Sequence, residues 1–362
     1  MSVRSLILSL LAVLWLWPIT AYGQSPELMD AYKRAGVLYA LGRYQEALPF
    51  AEEALRLGER KFGPDHPQVT RGLNDLGELY RLQGWYADAE PLHKRALAIF
   101  EKALGPEHPY VANSLNNLAV LYQAQGKYAE AESLVKRALV VRETALGTAH
   151  PDVAASLNGV GAVYRAQGKY AEAEPLIKRA LAIYEKALGP QHPHVATSLN
   201  NLALLYYSQG KYAEAEPLYK RALAIYEKAL GPQHPYVATS LNNLAMPYYA
   251  QGKYAEAEPL HKRALAIFEK ALGPHHPSVA HSLNNLARLY QAQGKYADAE
   301  PLHKRALAIW ESALGPEHPN VAKGLENYAS LRRKMGFSAE AARLEAQARA
   351  IRAKHAKENP AQ

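Results

Sequence analysis

The sequence predicts an all-α protein built as a solenoid of about eight antiparallel helix pairs. Three observations carry that reading. The dipeptide His-Pro recurs at His66, His108, His150, His192, His234, His276 and His318, each time 42 residues after the last. Inside each unit the apolar residues fall twice into steps of three and four, the spacing of a helix stripe. A glycine follows each stripe and a proline precedes the first, the punctuation expected at helix ends. Self-similarity at such a period marks a repeat architecture, because one helix pair cannot bury its own stripe and must stack on neighbours.

The unit from His192 to Gly231 shows the elements most clearly. Leu199, Leu202, Ala203 and Tyr206 stand at i, i+3, i+4 and i+7 and define the buried side of a first helix, A. Tyr212, Ala215, Tyr219, Ala222, Leu223, Tyr226 and Leu230 form the stripe of a second helix, B. Gly210 and Gly231 sit where a left-handed residue would stop each helix, and Pro193 opens helix A at a position that needs no backbone donor.

Leu-x-x-Leu-Ala-x-x-Tyr, then Gly-x-Tyr-x-x-Ala, then Ala-Leu resembles the tetratricopeptide repeat. The 42-residue form, with SLNNLA, QGKY and LGPxHP, is similar to the repeats of kinesin light chains and their bacterial relatives. The resemblance covers roughly Ser25 to Ala356. It implies a right-handed superhelical solenoid with helix A on the concave surface, and a binding scaffold for a partner that the fold does not specify.

Along the chain, residues 1–23 read as a secretory signal peptide: Arg4, an apolar run from Leu6 to Trp17, and small residues at Ala21 and Gly23. The run is too short to span a bilayer. Export into the bacterial periplasm or medium is therefore expected, with no stable membrane insertion after cleavage. The absence of cysteine excludes a lipid-anchoring cysteine and disulfides. Residues 24–65 read as a degenerate capping repeat, in which Arg34 takes the slot of Leu76. Six full repeats follow over 66–317. Residues 318–357 form a last repeat with an Ala- and Arg-rich capping helix, and 358–362 a disordered tail.

Composition excludes several functions. Removing the signal segment takes away one charge, Arg4, and lowers the formal +8 to +7. That surplus is small for the length, and no basic helix or aromatic platform for nucleic acid is present. Glu90/Lys94, Glu132/Lys136, Glu174/Lys178, Glu216/Lys220, Glu258/Lys262 and Glu300/Lys304 are i, i+4 pairs in the favoured orientation and read as a solvated helix face. The His-Pro histidines lie about one helix spacing apart, roughly 8–10 Å, too far to share a zinc. Hydrogen bonding at the entry to helix A is their expected role. His93, His261 and His303 occupy a packing slot held elsewhere by Val135, Ile177 or Tyr219. No nucleophile-base constellation or phosphate loop is present, so neither catalysis, nor a cofactor, nor a metal is expected.

The candidate site is the groove. At about 100° per residue, Asn113, Asn117, Val120 and Ala124 lie opposite the buried stripe of their A helix. By the resemblance this side lines the concave surface. The slot reads Asp75, Asn117, Gly159, Asn201, Asn243, Asn285 and Asn327 along the chain, and an amide both donates to and accepts from a peptide backbone. The neighbouring ladder, Asn74 to Asn284, points towards the next repeat and reads as an inter-repeat clasp. Gly159, among Ala155, Ala162 and Ala166, offers a recess beside Arg165; Tyr207 and Tyr249 flank the next two pairs, and Arg288 adds charge further on. The expected function is a scaffold that holds a peptide or protein segment there. The alternative is an assembly component of an envelope or export complex, acting through its convex face or ends.

Overall fold

The computed structural model describes residues 25–359, and every regular element among them is helical. The predicted signal segment lies outside the described residues. Eight helix pairs follow one another. We number them α1 (Pro26–Ala40) and α2 (Tyr44–Phe62); α3 (Val69–Leu82) and α4 (Tyr86–Leu104); α5 (Pro109–Ala124) and α6 (Tyr128–Leu146); α7 (Pro151–Ala166) and α8 (Tyr170–Leu188). Then come α9 (Pro193–Ser208) and α10 (Tyr212–Leu230); α11 (Pro235–Ala250) and α12 (Tyr254–Leu272); α13 (Pro277–Ala292) and α14 (Tyr296–Leu314); α15 (Pro319–Lys334) and α16 (Ser338–Glu358). Among the described residues no helix is long and apolar enough to cross a membrane.

The helix ends follow from local chemistry. At six A helices a histidine is the N-cap and proline the first helical residue: the ring Nδ1 of His108, His150, His192, His234, His276 and His318 accepts from the backbone N–H two residues on, at 3.0–3.2 Å. The capping acceptor is a ring nitrogen here rather than the usual hydroxyl or carboxylate. Gly210 (φ +75°) and Gly231 (φ +89°) end their helices in a region open to glycine. Pro247 lies inside α11, buried, and the helix runs on to Ala250 with the Gln251 N–H bonded to the Pro247 carbonyl at 3.1 Å.

The chain divides into two compact units. One spans Phe100–Ile267; the other joins the described residues up to Ile99 with those from Phe268 to Asn359. In the Phe100–Ile267 unit each pair stacks on the next. Ala173 and Ile177 of α8 pack on Leu202 and Leu205 of α9, and Ala203, Ala215 and Tyr219 pack on Leu244. In one pair helix A yields to helix B: Ile177 sits over Gly161, and a Cβ there would lie 2.5 Å from Ile177 Cγ1. The preceding pair fills the same place with Ala119 and Val135. Arg142 occupies a slot that holds Tyr184 and Tyr226 in later pairs. It is buried and donates to Ser156 Oγ (2.6 Å) and Asn113 Oδ1 (2.5 Å), so its charge is held by hydrogen bonds instead of a carboxylate.

Every helix B salt bridge read from the sequence is formed, at 2.5–2.7 Å. A second ladder runs between pairs: Arg137–Glu101, Arg179–Glu143, Arg221–Glu185 and Arg263–Glu227, at 2.5–2.7 Å. The glutamates of the first ladder also accept from a tyrosine of the next A helix, Tyr206 to Glu174 (2.9 Å) and Tyr248 to Glu216 (2.8 Å). These partly exposed pairs contribute little singly. Repetition makes them a register device between pairs.

In the other unit the first two pairs touch the last two, besides stacking on their own neighbours. The α1–α2 turn meets the α12–α13 loop: a Cβ on Gly42 would lie 2.5 Å from Pro277 Cδ and 2.7 Å from His276 Cδ2. One repeat further, Gly84 faces Pro319 and His318, and Tyr86 meets the His355 ring edge-on with centroids 5.1 Å apart. Gln83 is buried there; oriented by its partners, its amide donates to the Leu314 carbonyl (2.8 Å) and accepts from the Gln45 N–H (3.0 Å). The repeats supply their own control. Leu272 and Leu314 are 8% and 5% exposed, whereas Leu104 and Leu188, in the same slot, are 37% and 36% exposed.

Candidate functional site

The face of helix A opposite the buried stripe is open in the Phe100–Ile267 unit. Asn113, Val120 and Ala124 are exposed and Asn117 is half-buried. The two asparagine ladders separate here. Asn158 Nδ2 donates to Ser198 Oγ (2.7 Å) and Asn200 Nδ2 to Ser240 Oγ (3.1 Å), each bond reaching from one pair to the next. Asn74 and Asn242 instead serve His93 and His261, at 3.1 and 2.7 Å. Asn158 and Asn200 thus hold successive pairs together, whereas Asn74 and Asn242 hold the two helices of one pair. Asn117, Asn201 and Asn243 carry no hydrogen bond among the described residues and stay half-exposed, with donor and acceptor both available.

Gly159 lies between Asn117 and Asn201 in this row, and its side of α7 is empty: a Cβ would find Val135 Cγ1 at 4.0 Å and nothing nearer. Ala155 and Ala166 are exposed and Ala162 half-buried around it. Arg165 is half-buried on the same helix. Tyr207 and Tyr249 pack tilted on Tyr212 and Tyr254, centroids 5.5 and 5.7 Å apart, which fixes each ring against the start of its own B helix. The sequence pattern marks Tyr219 as a packing residue alone. Its ring is fully buried, but its hydroxyl has no partner, and burial and Tyr207 raise the phenol while Arg165 opposes the rise. A long side chain in a slot that elsewhere holds Val135 or Ile177 was the available signal.

The other unit holds Asn285, Arg288 and Asn327. Asn285 is half-buried and Arg288 exposed; Asn327 donates to Asn284 Oδ1 at 3.0 Å and so belongs to a bond between pairs. On α3, Arg71 stacks over Tyr32 at 4.1 Å and Arg81 pairs with Glu78 at 2.7 Å. Burial, with Glu78 nearby, pushes the Asp75 carboxyl up to about 8 against the opposing charge of Arg71. Asp75 also lies 3.9 Å from Arg71, an ion pair that no asparagine of this slot can form. The buried slot histidines behave alike: burial pushes His93 and His303 down to about 4, which keeps them neutral packing residues.

The chain is similar to a Podosopora anserina chain named for a kinesin light chain, with nearly identical TPR-like repeats: 35% identity over 57% of this chain and 97% of that one, TM-score 0.48. It is similar to BtubC (BKLC) from P. vanneervenii, with 28% identity over 65% of this chain and 92% of that one, TM-score 0.51. The apo form of RapI shares the fold at 16% identity, over 80% of this chain and 99% of that one, TM-score 0.56. No curated protein sequence matches significantly. The tetratricopeptide repeat model matches residues 27–102, 73–144, 152–228, 200–270, 236–309 and 283–354. With nearly the whole described chain accounted for by one repeat, and its helices paired and stacked as that repeat requires, the protein belongs to the tetratricopeptide repeat family.

Proposed function

We propose that this protein is a non-enzymatic, exported scaffold of the bacterial periplasm or medium that holds an extended peptide or protein segment against its A helices. The observation that carries the reading is the division of labour between the asparagine ladders. Asn158 and Asn200 are engaged by Ser198 and Ser240, while Asn117, Asn201 and Asn243 keep their amides free on the open face. Successive rungs about 10 Å apart match three residues of extended chain at about 3.3 Å each. The recess at Gly159 suits an apolar side chain, whose burial contributes about 1.5–3 kcal/mol. Arg165 beside it favours an acidic residue in the segment.

The test is a displayed peptide library selected on the full protein. Gly159→Trp abolishes binding of the selected peptides without unfolding the array, and Asn243→Ala weakens it. Equal binding by both variants and the parent would overturn the reading. It would favour instead an assembly role for the convex face or the ends, for which the contact between the first and last pairs is a precedent.

A further inference from the structure

We propose that the turn edge of residues 100–267 is an interaction surface whose partner is the loop edge of a second copy of this chain. Stacked helix pairs put all A–B turns on one edge and all loops between pairs on the other. The contact between the first and last pairs shows that these two edges fit: the turns at Gly42 and Gly84 seat on the His-Pro loops at Pro277 and Pro319, in one register, one repeat apart.

The turns of pairs three to six repeat the same chemistry and stand open. A Cβ added to Gly126, Gly168, Gly210 or Gly252 would meet nothing within 4 Å. Gln125 and Gln209 stand where the Gln83 amide donates to the Leu314 carbonyl, while Gln167 turns its amide to the Tyr128 carbonyl at 3.1 Å. On the opposite edge, Leu104 and Leu188 are exposed where Leu272 and Leu314, beside the loops of the contact, are buried. Both halves of that contact are thus present and unfilled on the same unit. The surface that fits the turn row is the LGPxHP loop row, and this chain carries it at Leu188–Pro193 as at Leu314–Pro319. A second copy is therefore the occupant. The contact is heterologous, turn edge to loop edge, so each added copy leaves one edge of each kind open and association continues head to tail.

Sedimentation velocity on the full chain tests this. The parent associates as concentration rises. Leu104→Glu with Leu188→Glu on the loops, or Gln125→Lys with Gln209→Lys on the turns, lowers the association constant by about a hundredfold, as unpaired polar groups at a buried contact do. Far-ultraviolet dichroism stays at the parent's value, because Leu104 and Leu188 are exposed last residues of their helices and Gln125 and Gln209 follow the last residue of theirs. Mixing the Glu variant with the Lys variant restores association, now between unlike chains. A parent that remains monomeric to its solubility limit overturns the proposal. So does association that survives both edge variants, or that is lost instead in Gly159→Trp, which alters the A-helix face alone.

Discussion

Alanine at Gly42 separates the contact between the first and last pairs from the ordinary strain of its turn. Gly42 has φ +70° and Gly126 has φ +77°, so alanine carries the left-handed penalty at both, about 1–2 kcal/mol. At Gly126 that is the whole effect, because a Cβ there meets nothing within 4 Å. At Gly42 the Cβ would fall 2.5 Å from Pro277 Cδ and 2.7 Å from His276 Cδ2. A proline ring and a capping histidine cannot swing aside, so the two elements must part or shift, at a further cost of about 1–3 kcal/mol. Urea unfolding measures the two variants against the parent. The lack of cysteine allows a pair of spin labels at Arg43 and His275 to report the distance across the contact. Gly42→Ala is expected to lengthen that distance and to destabilise more than Gly126→Ala. Equal costs with an unchanged distance would refute the argument that this contact is tight.

Three more outcomes follow from the geometry. Burial first, and then nearby His281, lowers His276 to about 4; burial, then His355, lowers His318 to about 4 while the Leu82 backbone opposes the shift. A base lowered in the folded state gives stability that is complete above about 6.5 and is lost as pH falls from there towards 4, so the labelled distance is expected to lengthen across that window; a flat profile would contradict it. Gly161→Ala should cost about 1–3 kcal/mol against Ile177, and Ile177→Val added to it should recover most of the loss in the same urea assay by recreating the Ala119–Val135 pair. Pro247→Leu should raise the melting temperature, because an interior proline removes one helix bond and crowds the Asn243 carbonyl, a cost of about 3 kcal/mol; an unchanged or lower value would show that α11 absorbs the proline without strain.

The sequence by itself determined the helices, their pairing and their ends. These depend on neighbours within one repeat, and a period of 42 residues states those neighbours seven times over. The clasp expected from the helix wheel is formed at Asn158 and Asn200, but Asn74 and Asn242 turn to a histidine of their own pair and Asn327, from the other ladder, bonds Asn284. Other features depended on partners that no local spacing names. Arg142 looks like a lapse from an aromatic slot until Asn113 and Ser156 are seen to hold it, and Tyr219 looks like packing until its hydroxyl is found without a partner. The contact between the first and last pairs was least legible of all. Gln83, His276 and His318 repeat residues found in every middle pair, yet they alone in their slots are buried, because what buries them lies some two hundred residues away along the chain. Only the accumulated rotation from pair to pair, a sum of small angles that each packed interface sets, decides which distant repeats meet.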